Sequence, residues 1–144
     1  MAKIIPIDTQ HPLYQKEREL RNKILLRPIG IPDFGWEMND SKSWHFAAVH
    51  DSELIGCVLL VPLDRNFTKG QLIQMAVSHK WQGKGVGKQL VKTLLDFAKK
   101  EGFVEIEIHS REDVTPFYEA MGFTAFGDVF EEVGIQHRHL SLKL

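Results

Sequence analysis

The chain has 144 residues, 43% hydrophobic and 26% charged, the balance of an ordinary globular protein and not of a disordered or low-complexity chain. Its 18 basic residues are offset by 19 acidic ones, so no overall field favours nucleic acid or a membrane surface. Cys57 is alone, which excludes an internal disulfide; with no signal-peptide pattern and no apolar run near the ~20 residues that span a bilayer, the expectation is one domain over residues 1–144 in a reducing cytoplasm.

Residues 2–7, with Pro6 among apolar neighbours, predict an edge strand, where a missing N–H is tolerated. Residues 14–26 predict a helix with Leu13, Leu20, Ile24 and Leu26 along its apolar side. Pro28, Gly30, Pro32 and Gly35 then interrupt the pattern, so 27–39 is expected to be a loop or a broken helical segment. Two β-type runs, 44–49 and 54–61, are joined by the short polar link His50-Asp51-Ser52-Glu53, a hairpin signal. A turn over 64–70 leads to a third strand, 71–77. From Gly85 to Lys100, Val86, Leu90, Val91, Leu94, Leu95 and Ala98 recur at helical spacing, and Gly102 takes the place of a C-cap. Val104, Ile106 and Ile108 alternate with Glu105, Glu107 and His109, a strand with one polar face. A short helix follows, started at Thr115-Pro116 or capped from Asp113, and closed by Gly122. Residues 123–130 and 135–144 predict a final pair of strands. Strands dominate, with helices inserted at two points after the first, so the fold class expected is α/β, a mixed sheet with helices on its faces.

The stretch with the clearest chemistry is Gln82-Gly83-Lys84-Gly85-Val86-Gly87, between a strand and a helix. Glycines let backbone approach a ligand closely, and the first N–H groups of a helix lack internal partners and favour negative charge. This is the chemistry of a phosphate cradle. The P-loop pattern G-x-x-x-x-G-K-[ST] is absent, and the third glycine comes one residue too early for the dinucleotide pattern G-x-G-x-x-G. A tight strand-to-helix turn with no ligand is the plainer alternative.

Gln82-x-x-Gly85-x-Gly87, followed by an amphipathic helix, a strand and Phe117-Tyr118-Glu119-Ala120-Met121-Gly122-Phe123, resembles the GNAT superfamily of acyl-CoA-dependent N-acyltransferases. The resemblance covers about residues 71–123, and the preceding hairpin with Gly56 looks like the family's central strands. It implies a GNAT-like, mostly antiparallel sheet with helices on both faces. It implies acetyl-CoA as co-substrate, with the pyrophosphate on the N–H groups of Gly83, Lys84, Gly85, Val86 and Gly87, and Gln82 and Lys88 alongside. The pantetheine arm would pair with the backbone of Met75 to Val77, beside a strand splayed away. The tail, Glu132 to His137, is similar to the E-x-G-I-x-H ending of a branch of small bacterial members that includes ElaA-like proteins.

By the same resemblance the reaction is direct attack of a primary amine on the thioester in a ternary complex. A backbone N–H near Val77 would stabilise the oxyanion, and Tyr118 would protonate the leaving sulfur. The general base stays open among Glu107, Gln74, Glu132, His137 and His79. Arg111 is a candidate for an acidic substrate group or a coenzyme A phosphate, or for a surface ion pair. His137-x-His139 puts two rings on one side of a strand, but no third ligand accompanies them, so no metal is expected. The acceptor, a small molecule or a peptide, is expected to meet residues 20–39 and the C-terminal strands, with Trp36, Glu37 and Asp40 as lining candidates. A homodimer is the assembly that the resemblance implies. A non-catalytic acyl-CoA-binding module and a nucleotide-binding protein are the competing readings.

Overall fold

In the computed structural model, which describes residues 2–144, the spine of the molecule is β3 (Glu53–Pro62). Its run from Ile55 to Val61 is buried throughout, so it lacks the alternation of a strand with one wet face: both faces are covered. Around it lie β1 (Lys3–Ile7), β2 (Trp44–His50), β4 (Lys69–Val77), β5 (Glu105–Arg111), β6 (Thr124–Glu132) and β7 (Ile135–Lys143). They form one seven-stranded sheet in the order β1-β2-β3-β4-β5-β7-β6. Each neighbouring pair is antiparallel except β4 with β5. The mixed, mostly antiparallel sheet expected from the sequence is the sheet observed.

One face is covered by α2 (Val86–Glu101), which packs Val86, Leu90, Val91, Leu94 and Ala98 against Phe46, Ile55, Val58 and Ile106. The short α3 (Thr115–Glu119) adds Tyr118 to the same cluster. Neither Thr115 nor Asp113 caps α3 through its side chain; Pro116 sits in the first turn, and the Thr115 hydroxyl donates instead to the Arg111 carbonyl at 3.3 Å. Among the described residues no helix is long and apolar enough to cross a membrane.

The opposite face carries α1 (Tyr14–Arg21), because alternate residues of β2 point opposite ways: Phe46 and Ala48 join the α2 cluster, while Ala47 packs with Ile7, Leu13 and Leu20. Here the structure departs from the expected helix over 14–26. The chain is α-helical to Arg21, widens into a π turn over Asn22–Leu26, and tightens into a 3-10 turn over Arg27–Ile29. The residues that α1 buries fully are Glu17 and Arg21, while its one leucine, Leu20, is only partly buried.

That burial is tolerable because every charge is met. Arg21 donates to the buried Asp40 carboxylate, with Nη1 at 3.0 Å from Oδ1, and lies 3.9 Å from Glu17. Tyr14 donates its hydroxyl to Asp40, and Arg18 holds Glu37 through two hydrogen bonds of 2.7 and 3.0 Å. His45 completes the set. Its Nδ1 meets Glu17 Oε2 at 2.9 Å and its Nε2 meets the Asp40 carbonyl at 2.8 Å. Both partners are acceptors, so both ring nitrogens carry protons and the imidazole is cationic. Burial opposes that charge, but the Glu17 carboxylate and the Asp40 carbonyl outweigh it and hold the pKa above the ordinary 6.5.

A raised histidine pKa stabilises the fold fully below the unfolded value and loses its contribution as pH rises through the folded value. The midpoint of urea unfolding is therefore expected to fall as pH rises above the ordinary histidine value of 6.5, and to fall less in a His45→Gln variant. A wild-type slope that persists unchanged in the variant would remove His45 as its source.

Candidate active site

The parallel pairing of β4 with β5 is short: Lys69 with Glu105, Gly70 with Ile106 and Gln71 with Glu107. Beyond those pairs the strands diverge, and a cleft of about 1060 Å³ opens through the sheet. It is lined from both faces. Ile24, Leu25 and Trp36 come from the α1 side; Val114, Phe117 and Tyr118 come from the α2 side.

A bulge shapes the β4 wall. The register with β3 slips between Cys57 opposite Ala76 and Leu59 opposite Ile73, and Gln74 takes a left-handed φ of 53°. Gln74 is thereby aimed at the α1 side, where Nε2 donates to the Trp36 carbonyl at 2.6 Å. Its Oε1 is buried with no protein partner among the described residues. Met75 points the other way, toward α2. At the end of the strand the Ser78 N–H bonds the Ile55 carbonyl of β3 at 2.8 Å. Main-chain groups alternate sides along a strand, so the Val77 N–H faces the gap.

The glycine loop stands at the α2 mouth. Gly83 and Gly85 have φ of 76° and 85°, and a Cβ at either would meet nothing within 4 Å. Glycine is thus demanded there by backbone conformation, and the space in front is open. Gly87 differs. A Cβ there would lie 3.3 Å from Met75 Sδ, so glycine at this position lets α2 pack closely on β4. The first hydrogen bond into α2 runs from the Gln89 N–H to the Gly85 carbonyl at 3.0 Å, which leaves the N–H groups of Val86, Gly87 and Lys88 with no intrahelical acceptor. The Val86 side chain is in the core, so only its main chain is on offer. Gln82 ties the loop to β4 by donating Nε2 to the Val77 carbonyl at 3.0 Å. Lys84 and Lys88 are exposed, with Lys84 Nζ 5.5 Å from the centre of the Trp81 ring.

Tyr118 is 5% exposed, with its ring edge-on to Phe117 and Phe123. Burial pushes its phenol well above the usual value of 10.0, so it keeps its proton throughout the neutral range. Of the residues weighed as general base, Gln74, His79, Glu132 and His137 line the cleft with Arg111; Glu107 does not. Trp36 also lines it. The other two proposed lining residues are corrected: Glu37 is held by Arg18, and Asp40 is buried against Arg21 and Tyr14, so both carboxylates brace the α1 segment. Leu25 and Ile29 fall within the 20–39 stretch expected to meet the acceptor; what the sequence reading did not anticipate is the π turn over Asn22–Leu26 that presents Leu25, because the helix was expected to run unbroken to Leu26.

Residues 33–144 match the family model for the acetyltransferase (GNAT) domain. The chain belongs to the GNAT family. GNAT proteins are acyltransferases with acetyl-CoA as co-substrate, the class and the cofactor that the resemblance implied. Among curated relatives, N-acetyltransferase 8 of Rattus norvegicus is 26% identical over 103 residues, which is 67% of this chain and 46% of that protein. The chain spans from 45% to 65% of the length of the first curated relatives it matches. In fold it is similar to Escherichia coli ElaA, with a TM-score of 0.86, 18% identity and 99% of both chains covered. It is also similar to a GNAT family acetyltransferase from Elizabethkingia anophelis with acetyl-CoA bound, with a TM-score of 0.77, 22% identity, and 99% of this chain and 98% of that one covered.

Proposed function

We propose that the protein transfers an acetyl group from acetyl-CoA to a primary amine by direct attack in a ternary complex. The observation that carries this is the gap between β4 and β5, open to both faces of the sheet, with a helix N-terminus at one mouth and an apolar chamber at the other. In this reading the pyrophosphate of acetyl-CoA rests on the free N–H groups from Gly83 to Lys88, where no side chain blocks approach at Gly83 and Gly85. The amide-rich pantetheine arm lies along the backbone of Met75 to Val77 as an added strand. The Val77 N–H donates to the carbonyl oxygen as it gains charge, and Tyr118 protonates the departing sulfur. By family resemblance the protein is proposed to act in the cytoplasm as a homodimer.

The α1 mouth favours one kind of acceptor. Ile24, Leu25, Pro28, Ile29, Trp36 and Met38 line it, and the nearby carboxylates Glu37 and Asp40 are spent in ion pairs. This supports an amine carried on an apolar body over a polycation. The test is calorimetry with acetyl-CoA and with ATP, then thiol release with an arylalkylamine, a polyamine, an amino sugar and a lysine peptide. Acetyl-CoA binding and the highest kcat/KM for the arylalkylamine are expected. ATP binding without acetyl-CoA binding would overturn the cofactor. Acetyl-CoA binding with no turnover of any amine would favour the non-catalytic module, and preference for the polyamine would overturn the acceptor class.

A further inference from the structure

An amine in neutral water is mostly ammonium, so it must shed a proton before it can attack a thioester. The register of β5 with β7 identifies which groups stand where it would do so. Ile108 pairs with Leu140, and both lie in the cluster under α2. Partners across an antiparallel pair share a face and successive residues alternate, so the pairs His109–His139 and Arg111–His137 face the α1 side. That is the side of the apolar chamber. Tyr118 reaches the same cleft from the α2 side.

His137 is 6% exposed and its ring is fixed in one tautomer. Nδ1 lies 2.8 Å from the Ile135 carbonyl, and a carbonyl only accepts, so Nδ1 carries the proton. In the neutral ring the lone pair is then on Nε2, which lies 3.6 Å from Glu132 Oε2. The tight turn at Val133 and Gly134, both with positive φ, brings Glu132 back beside β7. The other charged or titratable groups around the ring are His109 and Arg111 of β5 and His139 of β7. The Arg111 charge is engaged by Asp113 at 3.2 Å, and the His139 ring is stacked on Phe130 with centroids 4.2 Å apart. His79 stands beside the glycine loop, and Gln74 has no basic atom.

We propose that His137 is the general base of acetyl transfer and that Glu132 is its positioning residue, an assignment that rests on the transferase reading above. His137 Nε2 takes one proton from the substrate ammonium and passes it to solvent. The neutral nitrogen forms the N–C bond to the thioester carbon, and the C–S bond breaks. The sulfur takes the Tyr118 proton, and the second proton leaving the nitrogen restores Tyr118 through solvent. The acid and the base thus stand on opposite faces of the sheet, and the gap lets them act on one molecule.

The test is the pH profile of kcat/KM for the best amine of the panel, in the wild type and in His137→Gln, with acetyl-CoA affinity measured on both. His137→Gln is expected to keep that affinity and to lose about 10²–10³-fold in kcat/KM at neutral pH. Its rate should then rise about tenfold per pH unit toward the titration of the amine itself and converge on the wild type, since a neutral amine needs no base. A loss that is the same at every pH, or no loss, would overturn the assignment. If His137→Gln fails to bind acetyl-CoA, Glu132→Gln carries the test, because Glu132 is largely exposed and its loss spares the fold. Removing the carboxylate that stands beside Nε2 is expected to lower kcat while acceptor KM and acetyl-CoA affinity stay unchanged; an unchanged kcat would overturn the proposal. A wild type that binds acetyl-CoA but turns over no amine would overturn the transferase reading and this assignment with it, whereas an altered wild-type acceptor preference would touch neither.

Discussion

Tyr118→Phe is expected to lower kcat by about 10²–10³-fold, the usual worth of a positioned proton donor, while acetyl-CoA affinity stays within about twofold. The two effects separate because the ring itself is the part that packs. Phenylalanine keeps the edge-on contacts with Phe117 and Phe123 and removes only the hydroxyl. Burial raises the phenol pKa, which gives a second signature. An acid must be protonated to act, so any alkaline loss of activity caused by Tyr118 lies above the ordinary tyrosine value of ~10. Single-turnover and calorimetric measurements on the two proteins decide the matter. Turnover equal to the wild type would remove Tyr118 as the acid, and a parallel loss of affinity would make it a packing residue.

Asp40→Asn is expected to be the most damaging single change outside the core. Arg21 is 2% exposed and cannot return to water, so the substitution leaves a buried guanidinium short of its nearest carboxylate. Breaking one side of a buried pair costs about 3–5 kcal/mol, which in a chain of this size corresponds to a fall of roughly 10–17 °C in Tm. Tyr14 loses an acceptor in the same step. Glu37→Gln is a useful contrast: its carboxylate is 23% exposed and pairs with the partly exposed Arg18, so a loss below about 1 kcal/mol is expected. Thermal unfolding of both variants tests the ranking, and equal shifts would show that the set of charges does not act through Asp40. Because the same set braces the π turn with Ile24 and Leu25, acceptor KM should suffer before acetyl-CoA affinity does.

The difference between these two residues is also a difference in legibility. Tyr118 lies in a contiguous motif, and the glycine loop is spelled out over six adjacent positions, so both could be singled out by their resemblance to a family's motifs. β3, β4 and α2 announced themselves because a buried apolar run and a 3.6-residue repeat are consequences of local geometry. Glu17 and Arg21 did not, because a charged residue in a polar helix reads as solvated until its partners are known, and those partners are supplied by His45 and by Asp40. Trp36 was rightly placed at the cleft while Glu37 and Asp40 beside it were not, since neighbouring loop residues can point anywhere. The bulge at Gln74 and the divergence of β4 from β5 are properties of pairing between distant segments. No local pattern records them, although they make the cleft.

The three residue pairs between β4 and β5 have a mechanical meaning. Among the described residues they are the sole ladder joining β1–β4 to β5–β7, and sheets fluctuate most where fewest bonds hold them. The sheet is thus two groups of strands stitched along a short seam under a shared α2 core, and the seam ends where the cleft begins. A pantetheine arm laid beside Met75 and Val77 would extend the stitching as an interstrand lath made of cofactor instead of polypeptide. Acetyl-CoA would then be a temporary structural member, leaving the sheet more loosely sewn each time coenzyme A departs.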